Sequence, residues 1–156
     1  MELRVNRKCV LFLCTGNSCR SQMAEGWARA LHPGWIDAFS AGIEPGGLDA
    51  RAVRVMAEAG VDISRQRSKH VDALAGVAFD AVITVCDHAN ESCPVFPGRV
   101  RRLHAGFDDP PRLALAADCE EEALDRYRRV RDEIRRYVES LPEVLDGSQE
   151  PKHAGS

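Results

Sequence analysis

The sequence predicts an α/β fold: a single domain with an open four-stranded parallel sheet and helices on both faces. Three observations predict it. Short apolar runs alternate along the chain with segments whose apolar residues recur at helical spacing. The run "AVITV" at 81–85 is apolar or β-branched throughout, which is typical of a strand buried on both faces of a parallel sheet. A length of 156 residues suffices for one domain with its own core.

The apolar runs predict four strands, at residues 9–13, 35–40, 81–85 and 100–104. Ligands of open parallel sheets bind beyond the carboxyl ends of the strands. Residues able to do chemistry stand at these ends: Cys14 after the first strand, Ser40 at the end of the second, Cys86 after the third and "FDDPP" after the fourth. The sequence therefore predicts a functional site along this edge.

Helical periodicity predicts three helices. The first covers 20–31, and the second starts after a capping Asp49 and ends at Gly60. The third is long, at 120–141, with an apolar stripe between arginines and glutamates that form a solvated face. Pro142 is expected to stop this helix.

The predicted domain is 1–142, followed by a disordered tail at 143–156. A net charge of -3 argues against nucleic acid as a partner. The apolar run near the start is too short for a secretory signal, and no run approaches the length of a membrane helix, so we expect a cytoplasmic protein without a membrane partner. In that compartment the six cysteines are expected to be reduced thiols rather than three structural bridges.

The stretch "CTGNSCRS" at 14–21 joins the first strand to the first helix. Gly16 and its small neighbours permit a loop whose N–H groups point inward at an oxyanion, and Arg20 adds a planar guanidinium. The same donors favour the thiolate of Cys14, with the Ser21 hydroxyl offered to its sulfur. The alternative is an ordinary glycine turn with a buried cysteine. The predicted oxyanion-binding residues are Thr15, Gly16, Asn17, Ser18, Cys19, Arg20 and Ser21.

These residues carry a resemblance. A cysteine, five residues, an arginine and a serine form the signature of the low-molecular-weight protein tyrosine phosphatase fold. With "QMAEGWA" after it, "FSAGIE" at 39–44 and "GFDDP" at 106–110, the chain resembles the thioredoxin-coupled arsenate reductases built on that fold. The resemblance runs from about Cys9 to the last predicted helix.

The resemblance implies a mechanism with three cysteines. Cys14 attacks arsenate, Asp109 protonates the departing oxygen, and Cys86 then attacks Cys14 so that arsenite leaves. Cys93 next attacks Cys86, which requires the segment between them to rearrange, and thioredoxin reduces the final disulfide.

Other interpretations of these residues stay open at the level of sequence. Cys86, His88 and Cys93 are possible zinc ligands, although their spacing matches no paired motif. Both thiols can also be packing residues, and Asp109, like its neighbour Asp108, can be a turn residue before proline.

The resemblance also bears on metals and cofactors. Asn17 is expected to brace the loop through its side chain. With Glu25 and Ser40 it matches positions that bind potassium in some of these reductases, but Lys69 stands where they have an acid. An ammonium there replaces the charge of the metal, so we expect no bound metal.

The loop at 14–21 lacks the Gly-Lys-Ser/Thr ending of a nucleotide-binding loop, and no cofactor is predicted.

Two other functions remain as alternatives to arsenate reduction. The first is a low-molecular-weight protein tyrosine phosphatase, which needs Cys14, Arg20 and Asp109 but no further thiols. The second is a redox-sensing or anion-binding module without turnover. A monomer is the default expectation, and glutaredoxin or a small thiol is an alternative reductant.

Overall fold

The computed structural model describes residues 7–146. Its four strands are β1 Lys8–Cys14, β2 Ile36–Gly42, β3 Ala81–Thr84 and β4 Arg101–His104. They form one parallel sheet in the order β2-β1-β3-β4, with Cys14 opposite Gly42 and Leu13 opposite Thr84. The predicted α/β class and the four-stranded parallel sheet are confirmed.

Helices cover the sheet on both faces. Val10 and Phe12 point to one face of β1 and Leu11 and Leu13 to the other, and all four are 0% exposed. The helices are α1 Arg20–Leu31, α2 Ala50–Glu58, α3 Asp87–Glu91, α4 Pro110–Ala114, α5 Glu120–Glu139 and α6 Leu141–Leu145, with a 3-10 turn at Val71–Leu74. Helices α1, α2 and α4 pack against α5, whereas α3 packs against β1 and β3. In the part of the chain that the structure describes, no helix is long and apolar enough to span a membrane.

The end of β2 differs from the prediction. The sequence predicts a strand that ends at Ser40, but β2 continues through Ala41 to Gly42. The extra residues pair with Leu13 and Cys14 of β1. A small, apolar "AG" carries little strand propensity by itself, so the partner strand decides its conformation. This extension carries β2 up to the loop that follows Cys14.

Three short helices, α3, α4 and α6, are absent from the prediction. Each is five residues long, which is too short for helical periodicity to appear in the sequence. The long helix ends before Pro142, as expected, but helical structure resumes at once. Helix α5 ends at Glu139, and Pro142 occupies the first turn of α6, where a missing N–H costs no intrahelical hydrogen bond.

The predicted start of the tail, residue 143, lies inside α6. Val144 in this helix is 1% exposed and belongs to the core, so the folded domain extends beyond 142. The rest of the predicted tail, at 147–156, lies outside the described residues, as do residues 1–6.

Candidate active site

The loop from Cys14 to Arg20 connects β1 to α1 at the carboxyl edge of the sheet. Its carbonyl groups are turned outward, because N–H groups of the segment after β2 bind four of them. The pairs are Cys14 with Ile43 at 3.2 Å, Thr15 with Glu44 at 2.7 Å, Gly16 with Gly46 at 2.9 Å and Ser18 with Asp49 at 3.0 Å. Within the described residues, the N–H groups of Gly16, Ser18 and Cys19 donate to no protein atom. A loop with its carbonyls outward leaves its N–H groups for an anion.

Close contact between this loop and β2 depends on Gly42. A Cβ atom on Gly42 would lie 2.7 Å from the Thr15 carbonyl oxygen and 2.9 Å from the Asn17 nitrogen. Asn17 has a φ of 46°, in the left-handed region that asparagine tolerates better than most residues. The end of β2 and Asn17 thus set the curvature of the loop together.

A chain of hydrogen bonds directs a hydroxyl group at the Cys14 sulfur. The Lys69 N–H donates to Asn17 Oδ1 at 2.9 Å, so the other end of this amide, Nδ2, donates to Ser21 Oγ at 2.8 Å. Ser21 Oγ lies 2.9 Å from Cys14 Sγ, and its own hydrogen is left for the sulfur. The Asn17 N–H donates to the same sulfur at 3.2 Å. Two donors therefore face the Cys14 sulfur, which is the environment a thiolate nucleophile needs.

Cys19, the other thiol of the loop, has different surroundings. It is 4% exposed, and burial, with the nearby Asp49 carboxylate as a second cause, raises its pKa well above the ordinary value. Cys19 therefore stays a thiol and behaves as a small apolar residue.

Arg20 is the first residue of α1 and lies between the loop and the segment that follows β4. Its NH1 donates to the Phe107 carbonyl at 2.9 Å, and its NH2 lies 3.5 Å from Asp109 Oδ1. Asp109 immediately precedes α4, and its neighbour Asp108 pairs with Arg129 of α5 at 2.9 Å. The fold thus brings the guanidinium and the carboxyl group together across a long stretch of sequence.

Cys86 contacts the loop from the end of β3, the strand that pairs with β1. It follows β3, is 5% exposed, and its sulfur lies 3.3 Å from Thr15 Oγ1. The Ala89 N–H at the start of α3 also donates to this sulfur, at 3.4 Å. Thr15 directly follows Cys14 in the chain. The Cys86 thiol therefore contacts the neighbour of Cys14. All six cysteines are free thiols.

A cleft of about 590 Å3 opens at this point. Thr15, Arg20, Cys86 and Asp109 are among its lining residues, and Arg112 and Arg126 add positive charge at its side. Cys14 is 3% exposed and is not among the residues that line the cleft. The arrangement suits a small tetrahedral oxyanion held between loop amides and a guanidinium.

Comparisons with known proteins agree with this geometry. The family model "Low molecular weight phosphotyrosine protein phosphatase" matches residues 9–150. The arsenate reductase of Bacillus licheniformis is 49% identical over 141 residues, which cover 90% of this chain and 99% of that protein. The chain belongs to the arsenate reductases of the low molecular weight phosphatase family.

Further members of the family show the same relation. The arsenate reductase of Halalkalibacterium halodurans is 46% identical over 140 residues, covering 90% of this chain and 99% of that protein. A solved structure described as an arsenate reductase in the phosphate binding state superposes with a TM-score of 0.69 at 32% identity, covering 88% of this chain and 98% of that one. The resemblance stated from the motifs is therefore confirmed for almost the whole length of these arsenate reductases.

Cys93 is the predicted site residue that the structure leaves apart from the others. It lies beyond α3, is half-buried, and its thiol faces the Pro94 carbonyl at 3.6 Å. It is not among the residues that line the cleft. For the zinc alternative, no three His, Cys, Asp or Glu side chains within residues 7–146 are grouped as metal ligands.

Lys69 lies beside Ser40, one of the residues that the resemblance relates to a potassium site. Its ammonium donates to the Ser40 carbonyl at 2.8 Å and to the Arg67 carbonyl at 2.7 Å. Ser40 Oγ in turn donates to Glu25 Oε1 at 2.6 Å. Burial lowers the pKa of Lys69, while the negative charge of Glu25 acts in the opposite direction. A cationic side chain thus already neutralises this group of oxygens.

We expect turnover to be the same in KCl and in NaCl at equal ionic strength, because the Lys69 ammonium occupies the oxygens that a monovalent cation would bind. Steady-state rates in the two salts measure this. Lys69→Ala removes the ammonium from the Ser40 and Arg67 carbonyl oxygens, while Glu25 keeps its ion pair with Arg29, so this variant is expected to be stimulated by KCl. Stimulation of the wild-type protein by potassium would contradict the expectation.

Sequence reasoning missed two contributors to the site. It assigned Thr15 only as a loop residue, although its hydroxyl contacts Cys86, and it assigned no role to Gly42. A glycine at the end of a strand that adjoins the loop was the available signal for Gly42. The contact between Thr15 and Cys86 joins two segments that are far apart in the sequence, and no local motif indicates it.

Proposed function

We propose that this chain reduces arsenate to arsenite, with Cys14 as nucleophile, Arg20 and the loop amides of Thr15–Ser21 as oxyanion binders, and Asp109 as general acid. Cys86 and Cys93 complete a relay of thiols. Arsenate is a tetrahedral oxyanion, and a related arsenate reductase has been solved in a phosphate binding state.

In the first step, the Cys14 thiolate attacks arsenic and an S–As bond forms. The bond between arsenic and one of its hydroxyl groups breaks, and Asp109 gives its proton to that hydroxyl, which leaves as water. The position of Asp109 beside Arg20, 3.5 Å from its NH2, supports this assignment. Arsenic is still pentavalent at the end of this step.

In the second step, Cys86 as thiolate attacks the Cys14 sulfur. The S–As bond breaks with its electron pair on arsenic, so arsenite leaves and a Cys14–Cys86 disulfide forms. Cys93 then attacks the Cys86 sulfur, releases Cys14 as a thiolate, and leaves a Cys86–Cys93 disulfide. The two electrons that reduce arsenic come from the pair of thiols.

One observation carries the choice of a reductase over a phosphatase. The Cys86 sulfur lies 3.3 Å from the hydroxyl group of Thr15, the residue that follows the nucleophile. Hydrolysis of a phosphoryl cysteine needs only the loop, the arginine and the acid. Arsenate reduction, in contrast, needs a second thiol near the loop, because that thiol attacks the cysteine that carries the oxyanion.

We propose thioredoxin as the reductant of the Cys86–Cys93 disulfide, with the protein acting as a cytoplasmic monomer. The family resemblance supports thioredoxin, and six free thiols suit a reducing compartment.

The test is the stoichiometry of arsenite release from protein first reduced and then freed of reductant. Wild type and Cys93→Ser are each expected to release one arsenite per chain, because the Cys14–Cys86 disulfide forms in both. Cys86→Ser is expected to release none. With thioredoxin, thioredoxin reductase and NADPH added, the wild type is expected to turn over repeatedly, whereas Cys86→Ser and Cys93→Ser are not.

Cys119→Ser is the matched control, since Cys119 is an exposed thiol that immediately precedes α5 and is not among the residues that line the cleft. It is expected to behave as wild type. Hydrolysis of an aryl phosphate at equal rates in all these variants, with no arsenite from any of them, would reject the reductase in favour of the phosphatase.

A further inference from the structure

Two side chains on β4 contact the two ends of the relay segment, defined as residues 86–93. Arg102 and His104 are two positions apart on this strand, so they point to the same face of the sheet. His104 contacts Asp87, the first residue of α3, and Arg102 contacts the Cys93 carbonyl at 3.4 Å. The edge strand of the sheet therefore holds the segment at both ends.

His104 makes two contacts through the two nitrogens of its ring. Its Nε2 lies 3.2 Å from Asp87 Oδ1, and its Nδ1 lies 2.7 Å from Thr84 Oγ1 at the end of β3. The ring can donate from Nε2 to the carboxylate, and Nδ1 shares a hydrogen bond with the Thr84 hydroxyl whose direction depends on the tautomer. The side chain of His104 is 32% exposed and that of Asp87 is 90% exposed, so the ring is partly shielded from water while the carboxylate faces it.

The backbone beside His104 leaves room for this arrangement. A Cβ atom on Gly106 would lie 3.1 Å from His104 Nε2 and 3.5 Å from Asp87 Oδ1. The glycine thus lets the chain pass close to the contact between ring and carboxylate without crowding it.

These contacts belong to the reduced form of the relay segment. Helical structure over the seven steps from Cys86 to Cys93 would separate their Cα atoms by about 10 Å, whereas a disulfide needs about 4.4–6.8 Å. Asp87–Glu91 is helical here and both sulfurs are free thiols. Cys86 precedes α3 and Cys93 lies two residues beyond its end, so we expect a bond between them to require α3 to unwind, which would move Asp87 relative to β4.

We propose that His104 is a positioning residue that stabilises the reduced relay segment through Asp87 and so sets the redox potential of the Cys86–Cys93 pair. The proposal rests on the proposed thiol relay. A contact present in the dithiol and lost in the disulfide favours the dithiol, so removing it makes the disulfide form more readily. His104 touches neither the oxyanion site nor a reacting sulfur, and it acts through α3.

The measurement is an equilibrium in buffers of reduced and oxidised dithiothreitol. The two thiols give two electrons and two protons to oxidised dithiothreitol, which becomes the dithiol while the Cys86–Cys93 disulfide forms. Alkylation and peptide mass spectrometry give the fraction of this disulfide. All proteins carry Cys14→Ser, so that no disulfide with Cys14 competes.

His104→Ala is expected to raise the equilibrium constant for the disulfide about fivefold, which corresponds to about 20 mV toward more negative potential. His104→Gln is expected to restore much of the wild-type value, because its amide can donate to the carboxylate. Asp87→Asn removes the charge from the other side of the contact and is expected to shift the equilibrium in the same direction. The effects of the two substitutions are expected to be less than additive.

Arg99→Ala is the matched control, because Arg99 is exposed in the connection that leads to β4 and contacts neither His104 nor α3. It is expected to leave the equilibrium unchanged. Equal constants for wild type, His104→Ala and Asp87→Asn would overturn the proposal and leave the relay standing. A wild-type chain that forms no Cys86–Cys93 disulfide in any buffer would overturn the relay, and the role of His104 with it.

Discussion

Replacing Cys14 with serine is expected to lower the single-turnover rate of arsenite release by a factor of about 10,000 or more, to the limit of detection. Serine preserves the size of the side chain, and its hydroxyl can accept the same hydrogen bonds from Asn17 and Ser21. However, a hydroxyl is a far weaker nucleophile at neutral pH and cannot form the disulfide with Cys86. Rapid mixing with arsenate and quantification of arsenite measure the rate.

Two controls separate loss of chemistry from loss of fold. Titration of Cys14→Ser with phosphate is expected to show binding, because Arg20 and the loop amides remain. Cys19→Ala changes the other thiol of the same loop and is expected to keep the arsenite rate within about tenfold, the cost of imperfect packing at a buried site. Rapid arsenite release by Cys14→Ser would assign the nucleophile elsewhere.

Replacing Arg20 with lysine is expected to lower kcat/KM for arsenate by about 100- to 1,000-fold, the range seen when one oxyanion donor is removed. The positive charge remains, but the planar fork that meets two oxygens at once is lost. The donor to the Phe107 carbonyl, which holds Arg20 between the loop and the Asp109 segment, is lost as well. Steady-state kinetics measure the loss of kcat/KM, and the inhibition constant of phosphate measures the loss of oxyanion binding.

Arg126→Lys is the matched control for charge and for type of substitution. Arg126 lines the same cleft but pairs with Glu122 on its own helix, and lysine can keep that ion pair. Its effect on kcat/KM is expected to be within about threefold, as for other solvent-exposed charge pairs. Equal losses in both variants would show that the overall positive charge of the cleft, rather than the geometry of Arg20, binds the substrate.

Sequence patterns predicted the elements that have many residues and a clear period. Helix α1 at Arg20–Leu31 has the predicted bounds, and Asp49 caps α2 through hydrogen bonds from Arg51 and Ala52 as expected. The five-residue helix α3 contains less than two turns, so its sequence does not distinguish it from a polar loop. Its form depends on packing against β1 and β3, which is a property of the assembled fold.

Local motifs predicted the loop of the candidate site, but not how distant segments orient it. "CTGNSCRS" indicated an oxyanion loop because small residues, a thiol and an arginine are adjacent in the chain. The outward turn of the carbonyls comes from residues 43–49, and the orientation of the Asn17 amide comes from Lys69. Hydrogen bonds between segments far apart in sequence leave no periodic trace in either one.

The sequence by itself determined the fold class, the position of Cys14 at the end of β1 and of Arg20 at the start of α1, and the family to which the motifs point. These features depend on residues that are close together in the sequence, so hydrophobic periodicity and local motifs reveal them. Only the tertiary structure decided that Thr15 contacts Cys86, that Arg20 lies beside Asp109, and that Cys93 stands apart beyond α3. Those distances depend on the strand order β2-β1-β3-β4 in the sheet. This order results from many weak packing and pairing interactions along the whole chain.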